Sequence, residues 1–147
     1  MTYFSDMNDL PKSIPIFPLA GALLLPKARL PLNIFEPKYL KMLEDVLGNQ
    51  DRLIGMIQPL SIEEGEPQNF ELNKVGCAGR VVSFTETEDS RYLITLAGIN
   101  RFNFVEKIEE NDPYLKGKVD WNSFKGDRKT EKMNADFERN VFLDILS

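Results

Sequence analysis

The chain has 147 residues, 42% hydrophobic and 28% charged, which bounds it to one domain with a real core. Its formal net charge of −5 argues against nucleic-acid backbones and anionic membranes as broad partners. It has no histidine and one cysteine, which removes His-based catalysis, the usual zinc sites and an intrachain disulfide.

Residues 1–12 are polar and mixed, and read as a flexible arm. From Ser13 the chain turns apolar. Residues 14–19 can be extended, but Pro15 and Pro18 each lack a ladder N–H, so a central strand is not expected there. Ala20-Gly21 reads as a turn, and Pro26 stops the short apolar segment 22–25. Arg29 to Phe35 is extended again, with Leu30, Leu32 and Ile34 on one face; Pro31 predicts an edge or irregular pairing.

At Glu36-Pro37 the period changes. An acid followed by proline opens a helix, Tyr39, Leu43 and Val46 recur at helical spacing, and Gly48 stops it. The spacing predicts a helix over 37–47. Leu53 to Gln58 reads as a short buried strand, and 59–73 as a polar, acidic loop. The small residues of Val75-Gly76-Cys77-Ala78-Gly79 permit close backbone approach.

Strands are predicted over 81–87 and 91–97, joined by a hairpin turn at Glu88-Asp89-Ser90. A turn at Gly98-Ile99-Asn100 then leads to the alternating run 101–105. A last strand covers 114–121. Many short strands at this spacing argue for a barrel or sandwich. Residues 122–130 read as a polar linker. From Thr130, Met133, Phe137, Val141 and Ile145 form a helical stripe that ends abruptly at Ser147. The expectation is a helical segment that continues beyond this sequence, or one that docks on a partner or a second copy.

Few of the constellations suit catalysis. The acids Glu63-Glu64, Glu86/Glu88/Asp89 and Glu109-Glu110 all fall in polar loops or turns, where carboxylates stay solvated. Cys77 sits in an apolar stretch without a basic neighbour and reads as an inert buried thiol. No G-x-x-x-x-G-K-[ST] loop or G-x-G-x-x-G fingerprint occurs. No enzyme, cofactor or metal site is expected. A reduced, cytoplasmic setting fits the cysteine usage, and no run of ~20 apolar residues is present to span a bilayer.

Arg101-Phe102-Asn103-Phe104 could be a base-stacking platform, but alternating Phe102 and Phe104 are better read as core. For polypeptide binding the apolar, proline-rich stretch 14–35 is the richest source. Within it the turn residues Leu24, Leu25 and Pro26 are the candidate exposed contacts. Met56 is added as a neighbour because methionine adapts to varied partners.

Residues 14–47 resemble the opening of the Lon protease amino-terminal, or substrate-binding, domain. The matching blocks are Pro15 to Leu19, Pro26 to Leu32 and Ile34 to Tyr39. A second block agrees: Gly76-Cys77-Ala78-Gly79, then Arg91-Tyr92 with Leu96, Gly98, Arg101 and Phe102. The resemblance covers about 13–121. It implies a mainly β domain with α, a PUA-like pseudo-barrel with one inserted helix and a C-terminal helix. It also implies a stand-alone, bacterial Lon-domain protein without ATPase or peptidase domains. The implied role is binding of unfolded or misfolded polypeptide as a proteolysis adaptor or chaperone-like accessory, with an ATP-dependent protease as partner. Related PUA-like barrels make RNA binding the alternative. The motif 31–39 itself is expected to be structural, with the binding surface at the turn before it.

Overall fold

The computed structural model describes residues 10–59 and 72–127. Its strands are β1 (Ser13–Pro18), β2 (Arg29–Ile34), β3 (Leu53–Ile57), β4 (Val75–Glu86), β5 (Tyr92–Ile108) and β6 (Leu115–Asp120), with helix α1 (Pro37–Leu47) between β2 and β3. They form one sheet in the order β2-β5-β4-β3-β1-β6, and β5 also pairs with β6. That last pairing closes β5, β4, β3, β1 and β6 into a ring. Strand β2 hangs outside it on β5. The expected mainly β fold with an inserted helix is what forms.

Closure depends on the length of β5. Its first part, to Asn103, pairs with β4, and from Asn103 to Ile108 it pairs with β6. Two shorter strands with a turn at Gly98-Ile99-Asn100 were expected here, and the structure corrects this. Ala78 lies opposite Asn100 and Gly79 opposite Gly98, so Ile99 is an extra residue, and the strand bends at a bulge without reversing. Strand β4 is likewise continuous, with Val82 as its extra residue.

The exclusion of residues 14–19 from the sheet interior is also corrected. Strand β1 pairs with β6 over Ser13 to Ile16 and with β3 over Ile16 to Pro18. The two pairings overlap only at Ile16. Each proline therefore lies where just one flank is paired, and its missing N–H leaves the other flank's ladder intact. Pro31 matches its expectation, since β2 is an edge strand.

Strand β3 is buried on both faces. Leu53 and Ile57 join Ile14, Ile16, Phe102 and Trp121 inside the ring. Ile54 and Met56 face the layer where α1 packs through Met42, Leu43 and Val46. That helix runs over 37–47 as the spacing predicts, with Pro37 in its first turn and Gly48 at its C-cap.

Residues 10–12, read as the end of a loose arm, are held. Leu10 is buried, the Trp121 indole N–H donates to the Pro11 carbonyl at 2.8 Å, and Val119 N–H donates to the Lys12 carbonyl. The stretch read as a linker is fastened over 122–127, where a 3₁₀ turn at Asn122–Phe124 lies on β5. The predicted C-terminal helix, its self-association and Glu63-Glu64 lie outside the described residues.

Candidate functional site

The turn named from the sequence forms one wall of a hollow of about 190 Å³. Leu23, Leu24 and Leu25 line it together with Met56, Cys77 and Arg101. The predicted contacts Leu24, Leu25 and Met56 thus do meet. Two of them are nevertheless core residues. Leu24 and Met56 are buried, Leu24 against Gly79 and Met56 on the fully buried β3. The exposed leucines of the turn are Leu25, half exposed, and Leu23, at 65% exposure, which the sequence reasoning missed.

Pro26 is half-buried, and its role is to seat the turn. The Leu25 carbonyl lies where a Cβ of residue 98 would be, so only glycine allows the loop to close onto β5. Lys27 N–H donates to the Gly98 carbonyl at 3.0 Å, and Gly98 N–H donates to the Ala28 carbonyl at 2.8 Å. Lys27 sits at φ +71°, completing the reversal.

A larger groove, of about 740 Å³, has the end of β2 in its wall. The motif 31–39 that was expected to be purely structural forms much of its wall. Phe35 is 56% exposed on its rim, and Phe17 and Tyr39 stack inside with centroids 4.2 Å apart. Leu32, Leu115 and Tyr114 continue the apolar lining. Burial, with Glu36 nearby, raises the Tyr39 phenol above its ordinary range, so it stays neutral. The Tyr114 hydroxyl donates to Asp45 at 2.6 Å; burial first, then that carboxylate, raise its pKa as well. Charge is confined to the rim at Glu36, Lys38 and Lys107. Such a concave, apolar, aromatic surface with a sparse polar rim holds apolar side chains.

Other chemistry finds little support among the described residues. No group of three His, Cys, Asp or Glu side chains could hold a metal, and no helix is long and apolar enough to cross a membrane. Burial pushes the Cys77 thiol up to about 12, which keeps it protonated and unreactive. Phe102 is fully buried, edge-on to Trp121, and cannot stack on a base. Arg101 is bound by Asp127 at 2.8 Å.

The model of the ATP-dependent protease La (LON) substrate-binding domain matches residues 13–142. Lon protease 2 of Sorangium cellulosum is 32% identical over 108 residues, which cover 74% of this chain and 13% of that protein. Lon protease 2 of Myxococcus xanthus is 30% identical over 115 residues, covering 78% and 14%. The chain therefore spans about one-seventh of the length of these relatives. Among solved structures, a Lon N-terminal domain protein from Xanthomonas campestris superposes with a TM-score of 0.57 at 28% identity, covering 74% of this chain and 59% of that one. The N-terminal domain of Mycobacterium avium complex Lon protease gives the same TM-score at 11% identity, with 74% and 53% covered.

Proposed function

The chain belongs to the LON substrate-binding domain family, and from that premise we propose that it binds unfolded or misfolded polypeptide as a non-enzymatic module. It then acts as a proteolysis adaptor or chaperone-like accessory, passing its cargo to an ATP-dependent protease. The observation that carries this reading is the 740 Å³ groove with Phe35 exposed at its rim. An unfolded chain differs from a folded one chiefly in its exposed apolar side chains, and the groove offers them an apolar, aromatic seat. Leu23 and Leu25 add a second exposed apolar contact at the turn before β2.

The test is a titration of the labelled protein with a reduced, alkylated polypeptide that cannot fold. Saturable binding is expected. Phe35→Asp should weaken it about tenfold, or ~1.4 kcal/mol, with an unchanged thermal midpoint, because Phe35 is more than half exposed. Leu25→Asp should weaken it by a smaller factor. Leu24→Asp is no test of binding, since it would place a carboxylate in the core. Retention of full affinity in Phe35→Asp would remove the groove from the mechanism. Binding of single-stranded RNA in preference to polypeptide, steeply weakened by salt, would replace the reading altogether.

A further inference from the structure

Among the described stretches of strand paired on one flank only, two lie at the β2-β5-β4 end of the sheet. One is β2, which pairs only with β5. The other is the outer part of β4. Strand β3 covers β4 from Cys77 to Arg80, and Val81 N–H donates to the Arg52 carbonyl at 2.9 Å. From Val82 to Glu86 the strand partner is β5 alone.

The hairpin turn fixes which backbone groups point outward. Thr87 N–H donates to the Arg91 carbonyl at 2.8 Å, and the Thr87 carbonyl accepts from Ser90 N–H at 3.2 Å. Both Thr87 groups therefore point inward. Antiparallel alternation then turns Glu86 outward, Thr85 inward and Phe84 outward. Thr85 faces Leu93, so Tyr92 and Ile94 of β5 face β2, where they meet Ile34 and Leu32. That leaves Pro31 and Asn33 on the outer edge of β2. A proline with no N–H thus blocks the β2 edge at its centre. The β4 edge keeps the N–H and carbonyl groups of Phe84 and Glu86.

We propose that the Val82–Glu86 edge takes an extended polypeptide segment as an added strand, with a large apolar residue beside Phe84 and a basic residue two positions away beside Glu86. This rests on the polypeptide-binding reading and names the mode of capture. Main-chain pairing supplies affinity without demanding a sequence, which suits cargo of many sequences. Phe84 and Glu86 lie on the same face of the strand, opposite Ile94 and Tyr92, and Phe84 is 49% exposed. An apolar side chain on the added strand would cover it. The tip carries Glu86, Glu88 and Asp89, with Arg91 drawn over the Phe35 ring at 5.4 Å. A basic segment complements that tip, whereas a second copy of this acidic chain would bring like charges together.

The probe is a labelled decapeptide of repeating Leu-Thr-Lys-Thr. It should bind, and N-methylation of its Leu and Lys amides should weaken it at least about tenfold, while N-methylation of its Thr amides should not. Replacing Lys by Glu in the peptide should also weaken binding. Phe84→Pro should match the loss seen with the methylated peptide and keep its thermal midpoint, because the N–H that it removes faces outward. If Phe84→Pro fails to fold, the two methylated peptides on the unaltered protein decide. Equal binding of both methylated forms, beside normal binding of an alkylated polypeptide, overturns the edge and leaves the polypeptide reading standing. No binding of any unfolded polypeptide overturns both. A concentration-dependent dimer that Phe84→Pro abolishes would make a second copy the occupant and overturn the proposal.

Discussion

Gly76→Ala will cost the domain about 3 kcal/mol, the upper end for one methyl group forced into a packed core. A Cβ at residue 76 would lie 2.6 Å from the Met56 carbonyl oxygen and 2.6 Å from Cζ of Phe102. The oxygen belongs to the β3 backbone, paired to β4 on one side and β1 on the other. The Phe102 ring is fully buried, with its edge toward Trp121 at 5.8 Å. Neither can give way cheaply. Domains of this size hold only about 5–15 kcal/mol in total. Urea titration should show a much lower midpoint at unchanged slope. The double variant Gly76→Ala with Phe102→Leu should recover only part of the loss, because the carbonyl contact remains. Gly126→Ala is the matched control, since nothing lies within 4 Å of its Cβ position. A midpoint shift for Gly76→Ala no larger than that of Gly126→Ala would contradict this packing.

The small residues around Gly76 were legible in the sequence as places of close approach, and so was α1, whose proline, spacing and terminal glycine all agree. Strand pairing was less so. Gly98-Ile99-Asn100 has the composition of a turn, but a bulge draws on the same residues. Only the partner strand decides, and it lies some twenty residues away. Burial of Leu24 and Met56 is likewise a matter of long-range contact. Leu24 looks exposable beside Pro26, yet it fills the space that Gly79 leaves. The groove was the least legible feature. Phe17, Phe35, Leu72, Lys107 and Tyr114 come from five separate parts of the chain, and each alone reads as ordinary core or surface. The free edge of β4 also leaves no local mark, because it exists only where β3 stops.

Asp127→Asn will loosen the fastening of residues 121–127 and will do so only above the acid range. Asp127 is 8% exposed. It accepts from Arg101 Nη2 at 2.8 Å, from Nε at 3.1 Å and from the Arg101 backbone N–H at 2.9 Å. The guanidinium also lies over the Phe124 ring at 4.6 Å, and Asn100 donates to the Phe124 carbonyl at 3.3 Å. Burial taken alone would raise the Asp127 pKa. The Arg101 side chain, its backbone N–H and its charge outweigh burial and hold the carboxyl below its ordinary value. A carboxyl depressed in the folded state stabilises fully above its unfolded pKa of ~3.9, and the contribution fades as pH falls through the lower folded value. The neutral amide keeps one acceptor and loses the forked ion pair, which at a half-exposed arginine is worth about 2 kcal/mol. Unfolding free energies from urea titration at pH 7 should therefore separate the variant from the parent by about that amount. The gap should narrow as pH falls below ~3.9, where the parent's own carboxylate takes up its proton. A gap that stays constant through that range would show that Asp127 acts by shape and not by charge. Arg101 also lines the hollow beneath Leu23 and Leu25. The same variant frees its guanidinium there, so any gain in affinity for acidic polypeptides at pH 7 would locate cargo at that hollow.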